Sequence, residues 1–387
     1  MTVIENLLLL IFLRMKIIVL LINVVIIFSV TCKAQEGYQI SGKISGVPDG
    51  KVLLINGEKG KSDTLGITQI KNGVFVFTGK VNGPVAVYIT LSDGNGMIPL
   101  ILENTNFMIN VNDNGALIQG GRQQELLTHY TRISQSFVSE QAKIVAEAQQ
   151  PGANIQALQN QVNKAYEMSV NATLNLIKAN PDEYATVYVI ALGILKETEE
   201  ELRLKYELLG EGARATIPGK QIAAALDQYA KLVEGKVAPN FTVEKPDGSL
   251  FSLYDIPAKL KLVYFWLSTD PSCRQDNIEL VKLYSQYRPQ GLEIISISLD
   301  DDRVKWKNTI GLDGMVWING LDLRGFDSLV ARLYMVNDLP TIFLIDAENR
   351  IVAKGLRGND LRKKIAELLK KIRKNKVFLF LWFAFIG

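Results

Sequence analysis

The chain has few of the residues that most catalytic sites need. Its 387 residues include two cysteines, Cys32 and Cys273, and a single histidine, His129. Two cysteines exclude a framework of several disulfides and a cysteine-rich zinc site. A Ser-His or Cys-His catalytic pair would have to use His129, which lies in a predicted helical region far along the chain from Cys273. The sequence therefore predicts no bound metal and no cofactor.

The net charge is also small, because lysine and arginine nearly balance aspartate and glutamate and leave a net charge of only +3. No basic stripe with interleaved aromatic residues runs through the body of the chain, so we expect no nucleic-acid partner. Hydrophobic residues make up 48% of the chain and charged residues 21%. This composition is typical of a globular protein, and the length allows two or three domains.

The N-terminus has the pattern of an export signal. Met15 and Lys16 precede the apolar run Ile17–Val30, as the charged start and apolar core of a signal peptide would, and Met15 would then be the start codon. Cleavage after Ala34 and attachment of a lipid to Cys32 both fit. We assign residues 1–34 to the signal peptide and predict a location in the periplasm or cell envelope. Membrane contact is expected only through this segment or a lipid on Cys32, since the run is shorter than the ~20 residues of a membrane span.

Residues 35–118 read as an all-β domain. Short segments with alternating apolar and polar residues are separated by turn residues, which predicts an antiparallel sandwich or a small barrel. The segments are Tyr38–Ile44, Lys51–Ile55, Gly73–Val81, Val85–Leu91, Met97–Glu103 and Phe107–Asp113. The domain resembles an uncharacterised β domain that often precedes thioredoxin-like domains. That resemblance implies binding, docking or support rather than catalysis.

Residues 119–234 read as a helical connector, and residues 376–387 as an apolar tail. In the connector, apolar residues recur at a spacing of three to four, and Pro181 and Pro218 punctuate the pattern. His129, Tyr130 and Tyr166 could line a groove there, although such residues on amphipathic helices ordinarily serve packing. The tail is about half as long as a membrane-spanning helix, and we expect it to lie outside the fold.

A strand, a tight turn and a helix are predicted around residue 270. Leu262–Trp266 is an apolar, β-rich run, and a helix is expected to begin at Pro271, where a missing N–H costs nothing. Asp270 is a good N-cap, because its carboxylate can accept a hydrogen bond from the backbone N–H of Cys273.

This segment resembles the active site of thioredoxin-like proteins of the TlpA and AhpC/TSA type. Those proteins usually read F-W-A-S-W-C-G-P-C-R, so Phe265-Trp266 and Cys273-Arg274 fit the two ends of the motif, and Asp270 stands where the family has its nucleophilic cysteine. The resemblance extends over about Val237 to Lys371. It implies a thioredoxin-like α/β domain at residues 235–375, with a cis peptide bond at Leu339-Pro340, because Pro340-Thr341 matches the family's P-[ST] segment.

Three functions follow from this altered motif, and the residues leave all three open. The first is monothiol redox chemistry at Cys273 toward a disulfide or peroxide. Helix amides would lower the pKa of this thiol, whereas the carboxylate of Asp270 would raise it. The second is a binding or accessory module that has lost dithiol exchange and docks a protein or peptide beside Pro340, in a groove formed by Trp266, Asp270, Pro340 and Thr341. The third is a structural envelope protein with Cys273 as a small buried apolar residue.

Overall fold

The structure is a computed structural model that describes residues 36–58, 63–92, 96–113, 115–325 and 328–386, with side chains as far as Ile372. The predicted signal peptide, including Cys32, lies outside the described residues. The chain divides into two compact units between residues 170 and 171. None of the helices in the described part of the chain is both long and apolar enough to cross a membrane.

Fifteen strands are numbered β1 to β15 in chain order among the described residues. They are Tyr38–Ile44, Gly50–Asn56, Thr64–Ile70, Val74–Gly79, Val85–Leu91, Met97–Leu102, Asn106–Asn112, Gly115–Gln119, Thr242–Glu244, Leu250–Ser252, Leu260–Trp266, Leu292–Ser298, Ile318–Leu321, Thr341–Asp346 and Ile351–Lys354.

Ten α-helices are numbered α1 to α10 within the same described ranges. They are Arg122–Ala148, Ile155–Ala179, Tyr184–Leu192, Glu199–Glu207, Glu211–Ala215, Ile217–Lys231, Pro271–Tyr287, Arg303–Asp313, Leu329–Leu333 and Gly358–Ile386.

The N-terminal unit contains a β-sandwich. One sheet has the order β4-β1-β7-β8 and the other β3-β2-β5-β6, and both contribute to one apolar core. The predicted sandwich is therefore present, but two details of the prediction are wrong. β1 pairs in parallel with β7, although an antiparallel arrangement was expected. β3 and β8 were also missed, because most of their residues are exposed and their apolar alternation is weak.

Helices fill the predicted connector. The long helices α1 and α2 follow the sandwich. The shorter helices α3 to α6 belong to the C-terminal unit and precede all of its strands along the chain. Thr198 caps α4 in a reciprocal capping box with Glu201, and Thr216 caps α6 just before Pro218. These caps supply the backbone N–H groups of each first turn with acceptors, so the helix starts are fixed locally.

The C-terminal unit is built on a seven-stranded sheet in the order β10-β9-β13-β12-β11-β14-β15. β11 pairs in parallel with β12, and α7 connects the two, as the apolar runs on either side of the helix predict. β14 is antiparallel to β11, with Phe265 opposite Thr341. Every residue of β11 is buried, which fits a central strand covered on both faces.

The closing helix α10 is longer than predicted. Its first turns pack Leu361, Ile365 and Leu369 into the core of the C-terminal unit. The helical backbone then continues to Ile386 through most of the predicted apolar tail, so the tail extends an element of the fold.

Candidate functional site

The site is formed where β11 ends and α7 begins. Asp270 is the N-cap of α7, and its Oδ1 accepts a hydrogen bond of 2.7 Å from the backbone N–H of Cys273. Pro271 is the first helical residue, as predicted. The local sequence thus determines where the helix begins. Asp270 accepts from a backbone N–H that has no partner within the helix, and Pro271 has no N–H that would need one.

Cys273 lies inside the domain. Its exposed fraction is 0%, and it belongs to the apolar core beneath the helix. The pKa of its thiol is raised to about 12, chiefly by burial and also by the carboxylate of Asp270, while hydrogen bonds from the Leu267 backbone and the Tyr264 hydroxyl oppose the shift. The Tyr264 hydroxyl also donates to the backbone carbonyl of Cys273 at 3.0 Å. The thiol is therefore protonated at neutral pH and shielded from solvent.

The exposed side of the first turn of α7 is tied to the segment before α10. The Arg357 guanidinium donates to the Ser272 hydroxyl at 3.2 Å and to an Asp276 carboxylate oxygen at 3.0 Å. The neighbouring carboxylate raises the pKa of Arg357. This arginine, which the sequence patterns did not single out, brings a fixed positive charge to the helix start.

Arg274 points away from the thiol toward α8. Its guanidinium makes two hydrogen bonds to the Asp313 carboxylate, of 2.7 and 2.6 Å, and Asn277 donates to the same carboxylate at 2.7 Å. Asn277 thus adds a third hydrogen bond to this bidentate ion pair, and Arg274 links α7 to α8 through Asp313. Asp313 was not predicted as a partner, because it lies 39 residues away in sequence.

Asp300 supports the turn before Asp270 from beneath. Asp300 is buried, with an exposed fraction of 3%. Its carboxylate accepts from the Ser268 hydroxyl at 2.7 Å and the Ser298 hydroxyl at 2.5 Å. The buried charge is compensated by these donors. Across the described ranges, no cluster of side chains could hold a metal ion.

The Leu339-Pro340 peptide bond is cis, as the family motif implied. Pro340 is buried, and Thr341 follows it at the start of β14, opposite Phe265 on β11. The Thr341 hydroxyl donates to the backbone carbonyl of Asp338 at 2.7 Å, and the backbone N–H of Leu339 donates to the Asp338 carboxylate at 2.8 Å. The register of β11 and β14 thus places Pro340 at the same end of the sheet as the turn that carries Asp270.

Trp266 differs from the other residues assigned to the groove, because its exposed fraction is 0%. Its ring stacks on Tyr264, with the centroids 6.5 Å apart and the planes 7° from parallel. The side chain therefore packs in the core below the site and offers no surface to a docked peptide. Asp270 and Thr341 are half-buried, and their contact with a peptide stays a prediction.

Together, the sheet, the helix capped by Asp270 and the cis-proline just before β14 define a thioredoxin-like domain. Residues 235–354 match the AhpC/TSA family, and residues 38–127 match a domain of unknown function, DUF4369. The chain is 30% identical over 142 residues to the thiol-disulfide oxidoreductase ResA of Bacillus thuringiensis subsp. konkukian, which covers 37% of this chain and 80% of the relative.

Solved structures of similar sequence are also thiol-disulfide oxidoreductases by name. The thioredoxin domain of one from Bacteroides vulgatus is 33% identical, covers 35% of this chain and 98% of its own, and has a TM-score of 0.34. One from Bacteroides fragilis is 30% identical, covers 34% of this chain and 99% of its own, and has a TM-score of 0.33. The chain belongs to the AhpC/TSA family of thioredoxin-like proteins, within its thiol-disulfide oxidoreductases.

Proposed function

We propose that the C-terminal domain binds extended polypeptide beside Pro340 without dithiol exchange, and that the protein is an accessory member of its family. One observation carries this proposal. An aspartate caps the helix at the position of the family's first cysteine, and the free thiol of the described chain, Cys273, is buried with a pKa raised to about 12.

Dithiol exchange needs two thiols with different tasks. A thiolate at the helix start attacks a disulfide and releases one substrate thiol, and the second thiol then attacks the mixed disulfide and releases the other. Asp270 has no sulfur and cannot form the mixed disulfide. Cys273 stands at the second position, where low reactivity is tolerable because attack there is intramolecular. The same burial argues against the alternative of a monothiol enzyme, which would need an accessible thiolate.

Polypeptide binding is supported by the backbone before the cis-proline. An extended peptide can exchange backbone hydrogen bonds with an extended segment of a protein. Leu339 precedes β14 outside any strand, and no turn or loop backbone hydrogen bond of the described residues ends on its carbonyl. The Leu339 N–H is occupied by the Asp338 carboxylate, and a peptide that used both groups would have to displace this contact.

Restoring the missing sulfur tests the proposal. We compare the full chain with the Asp270→Cys variant and the matched control Asp270→Ser, in reduction of insulin disulfides with dithiothreitol as the terminal reductant. Asp270→Cys should gain catalysis, since its new thiolate attacks the disulfide and Cys273 resolves the intermediate. The parent and Asp270→Ser should not exceed the dithiothreitol blank. Turnover by the parent at the rate of Asp270→Cys would overturn the proposal.

We also propose that the protein is exported to the periplasm or cell envelope. The support is the sequence alone, namely Lys16 followed by the apolar run Ile17–Val30. Cell fractionation with mass spectrometry of the N-terminus tests it, and would distinguish cleavage after Ala34 from a lipid on Cys32. Recovery of the chain in the cytoplasmic fraction with an intact N-terminus would refute export.

A further inference from the structure

A groove of about 1000 Å³ opens in the C-terminal unit along the segment that leads to Pro340. One wall is the end of α3 with the turn that follows it, and the other is the segment from α9 to Asn337. Most of the lining is apolar and consists of Ala191, Leu192, Ile194, Leu195 and Met335. Leu192 is 57% exposed there, although it is a large apolar side chain.

Hydrogen bonds hold the two walls in place. The Asn337 side-chain amide donates to the backbone carbonyl of Glu197 at 2.7 Å, and the Tyr229 hydroxyl donates to the same carbonyl at 3.3 Å. The Gln228 side-chain amide donates to the backbone carbonyl of Leu333 at 2.7 Å. The groove is thus formed before any ligand arrives, which lowers the entropic cost of binding.

The charges around the groove have one sign. Lys196 and Arg332 line it, and no carboxylate is among its described lining residues. Arg332 already has an interaction partner, so Lys196 is the charge that a ligand would meet. Two acids neighbour the groove: Glu197 is paired with Lys205 at 2.6 Å, and the Asp338 carboxylate accepts a hydrogen bond of 2.8 Å from the Leu339 N–H. An apolar ligand that carries a negative charge complements this surface, whereas a cationic ligand would be repelled.

Met335 lies in the turn that ends α9. Its backbone φ is 47°, in the left-handed region that residues other than glycine rarely adopt. The conformation belongs to a Schellman motif, because the Met335 N–H donates to the Arg332 carbonyl at 3.1 Å and the Val336 N–H donates to the Ala331 carbonyl at 2.9 Å. This helix end places Met335 in the lining of the groove, five residues before Pro340.

We propose that this groove reads the side chains of the polypeptide that binds beside Pro340, and that it selects an apolar segment adjoining an acidic residue. This inference rests on the proposed function. Asn337 lines the groove and precedes Pro340 by three residues, so their Cα atoms lie at most about 11 Å apart. An extended peptide covers that distance with three or four residues, and one ligand can therefore occupy both places.

Fluorescence anisotropy with the full chain tests the inference. The probes are two labelled, amidated peptides with the same alternating leucine and serine residues, one ending in two aspartates and the other in two lysines. The groove variants are Leu192→Glu and Lys196→Glu. Their controls are Val316→Glu and Lys363→Glu, which introduce the same charge at exposed positions outside the groove lining. Val316 is 72% exposed, and the side chain of Lys363 is 80% exposed.

We expect the acidic peptide to bind more tightly than the basic one. Each groove variant should weaken its binding by about three- to tenfold, as expected for loss of partly exposed contacts and reversal of one charge. The controls should remain within about twofold of the parent. Because Lys196 and Leu192 are both exposed, circular dichroism should confirm that each variant is folded.

The contrary outcomes separate the two proposals. If the parent binds both peptides equally and the groove variants match it, the groove inference is wrong and peptide binding beside Pro340 stands. If the parent binds neither peptide, the proposed function fails and the inference fails with it. If labelled dodecanoic acid binds but the peptides do not, the groove takes a small amphiphile and both proposals are overturned.

Discussion

The raised pKa of Cys273 leads to a quantitative prediction for its reactivity. Replacing Cys32 by serine leaves Cys273 as the single thiol, and the perturbations are pH and denaturation. Burial raises the pKa of Cys273 from an ordinary 9.0 to about 12, so at pH 7 the thiolate is about one thiol in 100,000, against about one in 100 in the unfolded chain. Since the thiolate is the reacting species, the population of thiolate alone should make native alkylation about 1000-fold slower than in the unfolded chain.

The assay is iodoacetamide labelling followed by mass spectrometry at a series of pH values, in buffer and in urea. Closure of the core over Cys273 slows the native reaction further, whereas the greater nucleophilicity of a thiolate with a higher pKa offsets part of the 1000-fold ratio. The Asp270→Asn variant serves as a matched control for charge. It should lower the pKa of Cys273 and speed native labelling moderately, because burial, the larger cause, remains.

A different labelling result would refute this reasoning. Native labelling within about tenfold of the unfolded rate, with a midpoint below about pH 7, would mean an activated thiolate and would restore the monothiol enzyme. Slow native labelling with a pH midpoint near the ordinary thiol pKa would mean that Cys273 is protected only because the reagent cannot reach it, and not by its electrostatic surroundings.

Three further predictions concern stability, measured as the free energy of unfolding in urea. Asp270→Ala should lose about 1 kcal/mol because it removes the helix cap, whereas Asp270→Asn should lose little because asparagine also accepts from the Cys273 N–H. The pKa of Cys273 is higher in the folded chain than in the unfolded chain, so the contribution of this thiol to stability is full below about pH 9 and is lost as the pH rises toward about 12. The difference in the free energy of unfolding between the parent and Cys273→Ala should therefore narrow from pH 8 to 10.5. Gly320→Ala should cost about 1–3 kcal/mol, since a Cβ there would lie 2.6 Å from Cγ2 of Val243 in the packed core.

Each of these has an outcome that contradicts it. Equal losses for the alanine and asparagine variants at residue 270 would remove the capping argument. A stability gap that stays constant with pH would show that Cys273 titrates alike in the folded and unfolded chains. A neutral Gly320→Ala, compared with the open position Gly311→Ala on α8, would show that the strands around β13 can separate without cost.

The predicted elements and the observed ones agree where the cause is local. The helix start at Pro271 depends on a cap and a proline within three residues of each other, and such rules act in any context. The strand Tyr38–Ile44 was predicted with its observed bounds, because its side chains alternate between a buried and a more exposed face. The cis-proline was recognised from a family motif and not from any property of proline itself.

The helix start at Pro271 and the chemistry that the site lacks follow from the sequence alone, because a cysteine that is absent at residue 270 is absent in every fold. The tertiary structure decided the burial of Trp266 and Asp300, the pairing of Arg274 with Asp313, the parallel pairing of β1 with β7, and the groove before Pro340. These features join segments far apart in sequence. Their energies depend on which surfaces leave water together, and no local pattern along the chain records that.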